Sequence, residues 1–410
     1  MSNDNLVEPT MEDIREAHEF LRGKICPTAI EYSSTFSSIY GAPLYFKLEN
    51  FQKTGSFKTR GALFKISKLT EKERNDGVIA CSAGNHAQGV AYASRIAKVS
   101  SKIVMPSYTI SAKINAVKSY GAEVVLFGNT YAEAFEEAKR LSKIEGRTFI
   151  DGFNDRWIIA GQGTIGLEII EKHPDVENVI IPVGGGGLIS GISKVLKLEN
   201  KNINVIGVQS ENCDSVAETI KRGEYTVSSK GFTIADGIAV QNPGTLNIQM
   251  IKKYVDKLVT VSDESMAYAL FKLLERHKIL VEPSAASPLA AIMEGKIDLN
   301  GKKTVGVASG GNIDLLLLSK IIYKSMEKDK GLVRIECKIP DRPGTLQIIT
   351  STISSTGANI FHAEVDNLSH DTPPGYQSIT FSINLRDSDH LDVLLKKLGD
   401  LGYKFHVSSF

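Results

Sequence analysis

The chain has 410 residues, 42% of them hydrophobic and 23% charged, with a formal net charge of +1. That length exceeds one compact core, so two or three domains are expected, and the balanced, interspersed charge argues against a nucleic-acid partner. Cys26, Cys81, Cys213 and Cys337 are scattered, with no CxxC or Cys/His spacing, so no metal site is expected and the thiols fit a reducing cytoplasm. The polar start, Met-Ser-Asn-Asp-Asn, lacks the basic and apolar regions of a signal peptide, and no apolar run is long enough to span a bilayer.

In chain order, an amphipathic helix is expected at Met11 to Leu21, then an irregular connection through Cys26-Pro27 and Ser33-Ser34. A strand, Pro43 to Leu48, leads into Thr54-Gly-Ser-Phe-Lys-Thr-Arg-Gly-Ala62, and a helix, Phe57 to Lys68, leads out. Strand and helix then alternate: Gly77 to Cys81 and Asn85 to Lys98; Lys102 to Met105 and Ser111 to Tyr120; Glu123 to Phe127 and Tyr131 to Lys143. Asn178 to Val183 is an apolar strand followed by glycines and a helix, and Asn204 to Gln209, Lys257 to Val261 and Lys303 to Ala308 continue the rhythm. Buried strands alternating with helices indicate parallel sheets covered on both faces. About 325 such residues are too many for one sheet, so two lobes are expected, the smaller spanning about 45–150. A charged linker follows at 326–331. The tail, 332–410, then reads strand, helix, strand, strand, helix, strand, a ferredoxin-like α+β module.

Four loops, each just after an expected strand, carry polar chemistry. Lys58 sits in the first turn of its helix, where the helix dipole and Arg60 two residues on should favour loss of its proton. An uncharged lysine can form a Schiff base with a carbonyl. Ser82-Ala83-Gly84-Asn85-His86-Ala87-Gln88-Gly89 opens a helix with free N–H groups, suited to a carboxylate, although Ser82 or Asn85 could serve merely as a helix cap. Gly184-Gly185-Gly186-Gly187-Leu188 is suited to a phosphate. It is neither a Walker loop nor a dinucleotide-binding turn, because no Gly-Lys-Ser/Thr follows and the next strand ends in Gln209 rather than an acid. Ala308-Ser309-Gly310-Gly311-Asn312 offers a hydroxyl for a ring nitrogen, or simply another cap. Amine, phosphate cradle, carboxylate turn and ring-nitrogen partner together match pyridoxal phosphate bound to an amino acid.

Residues 10 to 325 resemble the threonine dehydratase and serine racemase branch of the fold-type II pyridoxal-phosphate enzymes. The resemblance rests on GSFKTRGA, SAGNHAQG, VGGGGL, Thr233-Ile-Ala-Asp-Gly237 and SGGN. It implies that Lys58 carries the cofactor and removes the Cα proton, with Phe57 against the ring and Asn85 on the ring hydroxyl. Gly184, Gly185, Gly186, Gly187 and Leu188 would hold the phosphate, and Ser309 would face the ring nitrogen. Ser82, Ala83, Asn85 and His86 would meet the substrate. Threonine would leave as 2-oxobutanoate and ammonia, and serine as pyruvate. Racemases of the branch carry a serine where this chain has Ala83, so racemisation should be poor. Their divalent-cation site uses acidic residues around Gln209 and Ser215, which here are neutral. The tail resembles an ACT domain through Asp341-Arg-Pro-Gly-Thr-Leu346 and Thr356-Gly-Ala-Asn-Ile360. That implies a homodimer or homotetramer and feedback by isoleucine or valine, with Gly344 and Asn359 near the effector. The alternatives are a serine-preferring dehydratase or racemase, or a catalytically silent amino-acid sensor.

Overall fold

The computed structural model describes residues 7–227, 231–367 and 371–408. The polar start, Met1 to Asn5, read above for its lack of a targeting signal, lies outside them. The chain divides into two compact units, 1–313 and 314–410.

The first unit holds two sheets. The larger has six strands in the order Ile30–Tyr32, Leu44–Leu48, Thr304–Ala308, Asn178–Pro182, Asn204–Ser210, Lys257–Val261. The outer pair at one edge is antiparallel and the rest are parallel. The smaller sheet is parallel throughout, in the order Glu123–Leu126, Ser101–Met105, Val78–Cys81, Thr148–Phe149. Strand Val78–Cys81 explains the parallel arrangement. Val78 and Ala80 pack on one core with Leu63, Ile66 and Val90, while Ile79 and Cys81 face a second core with Ala134 and Ala138. Both faces of the sheet are therefore dry at this strand, and each fully buried aliphatic side chain contributes roughly 1.5–3 kcal/mol. The larger sheet repeats the scheme, with Val179, Ile181, Val205 and Val307 packing on Leu188, Ile189 and Ile192.

The small sheet is inserted into the large one, so the chain crosses twice. It leaves the large sheet after Leu48, passing through Glu49 to Phe57 into the helix Lys58–Ser67. It returns after Phe149, passing through Ile150 to Asp155 into the helix Arg156–Lys172. That second helix, 17 residues long, was not expected from the sequence. It is buried on nearly every side, so it lacks a one-sided apolar stripe, and it carries three glycines. The glycines serve close helix packing. A Cβ on Gly161 would lie 2.6 Å from the Cα of Gly61 on the lysine helix, and one on Gly191 would lie 2.6 Å from the nitrogen of Gly163. The edge strand Ile30–Tyr32, also unexpected, covers residues read as irregular.

The second unit begins with the helix Leu315–Lys328, whose last turn occupies the first part of the 326–331 segment read as a linker. Beyond it lies an antiparallel four-stranded sheet in the order Asn359–Asp366, Tyr376–Asn384, Leu332–Pro340, His406–Ser408. Helices Thr345–Ser355 and Ser388–Asp400 cover one face, through Ile335, Ile339, Phe381, Ile349, Ile353, Leu394 and Leu398. Glu336 and Lys338 on the other face are exposed, which gives the strand its alternating pattern.

Candidate active site

Lys58 is the first residue of its helix, as the spacing predicts. It is walled in by protein but open on one side, and its Nζ donates to the Gly152 carbonyl at 2.7 Å. Burial pushes its pKa down to about 8, while the negative charges of Asp151 and Glu282 pull the other way. Arg60 does not act as the sequence suggested. Its side chain turns away from Lys58 and is fully buried, gripping Glu49 (2.7 and 2.8 Å) and Glu168 (2.5 and 2.9 Å) with a fork to each. Those carboxylates hold the guanidinium's pKa above its ordinary value despite burial, and its charge is cancelled where it stands. Desolvation, not repulsion by Arg60, therefore lowers the proton affinity of Lys58.

Phe57 places its ring centroid 5.2 Å from Lys58 Nζ, and its N–H donates to the Ser309 carbonyl at 3.1 Å. A bridge between Ser56 and Gly310 fastens the lysine segment to the loop that carries Ser309. Gly89 brings the next helix close, since a Cβ there would meet the Lys58 backbone at 3.2 Å.

The helix Asn85–Ala97 starts at Gly84 without a side-chain cap, so its first N–H groups are available to an anion. The Ser82 hydroxyl accepts from the Gly84 N–H at 3.1 Å and shapes the turn, with Ala83 between them. Asn85 is fixed at both ends. Its Nδ2 donates to Glu282 (2.9 and 3.1 Å), and its Oδ1 accepts from Asn312 Nδ2 (2.7 Å). Burial holds Glu282 above the ordinary carboxylate range, although hydrogen bonds from Asn85 and Ser284 oppose this. The His86 ring is tied to the backbone. Its Nε2–H donates to the Ile150 carbonyl at 3.0 Å, and burial, then the charge of Lys58, lower its pKa to about 4. It is a neutral ring committed to the backbone, not a cation for a carboxylate.

The glycine loop ends at Gly186, whose φ of +96° admits glycine and few other residues. Helix Gly187–Glu199 begins there, again with no side-chain cap. A Cβ on Gly185 would lie 2.4 Å from the Phe153 ring, and one on Gly187 would lie 2.9 Å from Phe153 Cα. Asn247 Nδ2 donates to both Phe153 and Gly185 carbonyls at 2.9 Å. No role for Asn247, Glu282, Asn312 or residues 151–154 is visible from the sequence alone. Asn312 lay inside a recognised motif; the others carry no local signature, because their partners are distant in the chain.

Residues 21–310 match the family model described as pyridoxal-phosphate dependent enzyme, and residues 330–402 match that of the ACT domain. The chain belongs to the pyridoxal-phosphate dependent enzyme family. It is 44% identical over 398 residues to the L-threonine ammonia-lyase of Thermotoga maritima, covering 97% of this chain and 99% of that one. Among solved structures, threonine deaminase isoform 2 of Solanum lycopersicum superposes with a TM-score of 0.72 at 34% identity, over 77% of this chain and 94% of its own. Maize serine racemase gives 0.73 at 31%, over 78% of this chain and 99% of its own.

A pyridoxal-phosphate dependent enzyme needs an amine and a place for the cofactor's phosphate, and the residues here are compatible with both. The buried Lys58 amine has a lowered proton affinity, and the uncapped helix start after the glycine loop leaves N–H groups for a phosphate. The residues present thus fit the cofactor. The cation position of the racemases looks different. Gln209 Oε1 accepts from the Ala217 N–H at 2.8 Å, and the Ser215 hydroxyl donates to the Val240 carbonyl at 2.8 Å. Among the described residues no group of three or more His, Cys, Asp or Glu could hold a metal. In the ACT domain, Gly344 precedes the helix Thr345–Ser355 and Asn359 follows it. A helix of that length spans about 16 Å, so within one chain the two do not share a site.

Proposed function

We propose that this chain deaminates L-threonine to 2-oxobutanoate and ammonia, and L-serine to pyruvate and ammonia. The observation that carries the reading is the Lys58 amine, held in desolvating surroundings at about pKa 8 between an uncapped helix start and the glycine loop. The name of the Thermotoga maritima relative supports threonine as substrate.

Pyridoxal phosphate, when bound, supplies the electron sink for the pair left on Cα after its proton departs. Gly184 to Leu188 offer backbone N–H groups to its phosphate. The turn from Ser82 to His86 offers N–H groups and the Ser82 hydroxyl to the substrate carboxylate. That contact orients the amino acid, which is much of what a positioned site contributes. Lys58 Nζ takes the Cα proton, and an amine near pKa 8 is matched to that task near neutral pH. The β-hydroxyl leaves with a proton as water; one water returns in hydrolysis, so threonine gives 2-oxobutanoate and ammonia with atoms balanced. Ala83 offers a methyl group and no proton to the substrate, which favours elimination over racemisation. The ACT domain supports control by a small amino acid, and isoleucine or valine is the proposed effector, acting across two copies of the chain.

The test is direct. Purified protein is given L-threonine, and 2-oxobutanoate and ammonia are measured, then repeated with L-serine and with isoleucine or valine added. Equal release of both products from threonine is expected, with a shifted saturation curve when effector is present. No keto acid from either substrate overturns the reading.

A further inference from the structure

The connector that returns from the small sheet, Ile150 to Asn154, has two carbonyls aimed at the site. Gly152 O accepts from Lys58 Nζ at 2.7 Å, and Ile150 O accepts from His86 Nε2 at 3.0 Å. Between them lies Asp151, whose Oδ1 accepts from the N–H groups of Phe153 (3.0 Å) and Asn154 (2.8 Å). A side chain that bonds the backbone two and three residues on fixes a tight turn from within. The same turn delivers Phe153 against Gly185 and Gly187, and its far end is tied down by Asn154 Oδ1, which accepts from the Leu246 N–H at 3.1 Å.

We propose that Asp151 is a positioning residue of this site: its carboxylate fixes the turn that presents one carbonyl to Lys58 and one to His86, and its negative charge faces the Lys58 amine. The inference rests on the reading of Lys58 as the cofactor-bearing amine. The charged and titratable groups around Lys58 are Asp151 on this connector, Glu282 before the helix Pro283–Met293, and His86 on the asparagine helix. Those around Asp151 are Lys58, His86, Tyr131 and Lys139. Lys139, over the Phe149 ring at 3.6 Å, feels the same Asp151 charge but is not among the groups acting on Lys58. Removing that charge makes the amine shed its proton at lower pH; removing the acceptor loosens the turn.

Two variants of the full-length chain separate these effects. Asp151→Asn keeps the oxygen that accepts both N–H groups and removes the charge; Asp151→Ala removes both. The first readout is labelling of Lys58 in the cofactor-free protein by an amine-reactive acylating reagent across pH, followed by mass spectrometry of the Lys58 peptide. The second is pyridoxal phosphate affinity, followed by the visible absorbance of the bound cofactor, with Lys58→Ala as control. Asp151→Asn should label roughly fivefold faster than wild type at pH 7, as a one-unit fall from a midpoint of about 8 gives, with cofactor affinity little changed. Asp151→Ala should show the same earlier midpoint together with weakened cofactor affinity. An unchanged midpoint in Asp151→Asn overturns the role of the charge, and wild-type cofactor affinity in Asp151→Ala overturns the role of the turn. Cofactor absorbance surviving in Lys58→Ala overturns the premise about Lys58. Failure to deaminate threonine would overturn the substrate assignment and leave the labelling result standing.

Discussion

Replacing Arg60 by glutamine should cost the catalytic unit stability and leave the proton affinity of Lys58 where it is. Arg60 and Lys47 face Glu49 and Glu168, two cations against two anions, and Lys47, Arg60 and Glu49 are each at most 1% exposed. Arg60→Gln leaves Lys47 alone against two carboxylates. Lys47 lies 2.6 Å from Glu168 and 3.7 Å from Glu49, so it pairs well with only one. Removing one partner of a buried charged group costs about 3–5 kcal/mol, because the other charges stay buried and uncompensated. The penalty should depend on pH. In the wild type burial pushes Glu168 up, but the charges and hydrogen bonds of Arg60 and then Lys47 together outweigh it and hold the carboxyl below its ordinary value. Its contribution is therefore present above the ordinary carboxylate range and lost as pH falls through the lowered folded value. Without Arg60 one carboxylate takes up a proton more readily, so the gap between variant and wild type should narrow as pH falls from 8 to 5. Chemical unfolding at several pH values reads the penalty, and acylation of Lys58 reads the amine. Unchanged stability together with a raised Lys58 midpoint would refute this reasoning and restore repulsion by Arg60 as the cause.

Gly161→Ala should separate the lysine helix from the helix Arg156–Lys172, because its Cβ would lie 2.6 Å from Gly61 Cα and 2.8 Å from the Arg60 carbonyl, both backbone atoms. Such overpacking costs about 1–3 kcal/mol; unfolding and cofactor titration of the variant should show both losses, and wild-type values in both would contradict the packing argument. Lys58→Met should stabilise the cofactor-free protein by about 3 kcal/mol at pH 7, from a folded value near 8 against an ordinary 10.5. The sign follows from proton binding: between pH 8 and 10.5 the unfolded chain holds the proton and the folded one does not, so wild-type stability rises over that window and the gap to Lys58→Met closes. A gap independent of pH would contradict a desolvated amine.

The alternation of strand and helix was legible because buried parallel strands are short and apolar and their helices carry a stripe. The same rule missed Arg156–Lys172, which is buried on nearly every side and so lacks a one-sided stripe, and whose glycines serve backbone contact with Gly61 and Gly191. The placement of Lys58, the glycine loop and the turn at Ser82 to His86 at helix starts was legible because each sits within one short segment. Partners remote in sequence were not. Arg60 meets Glu168 across 108 positions and Asn85 meets Glu282 across 197, so local spacing suggested a free charge beside Lys58 where the fold supplies a neutralised one. The hold on the His86 ring was hidden for the same reason, since its acceptor, Ile150, lies 64 residues away.

The account turns on which amine holds the cofactor. The holoprotein is reduced with borohydride to make that bond permanent, digested, and its peptides weighed by mass spectrometry. A phosphopyridoxyl group is expected on the peptide containing Lys58 and on no other. A label on a different lysine, or none on any, would contradict it.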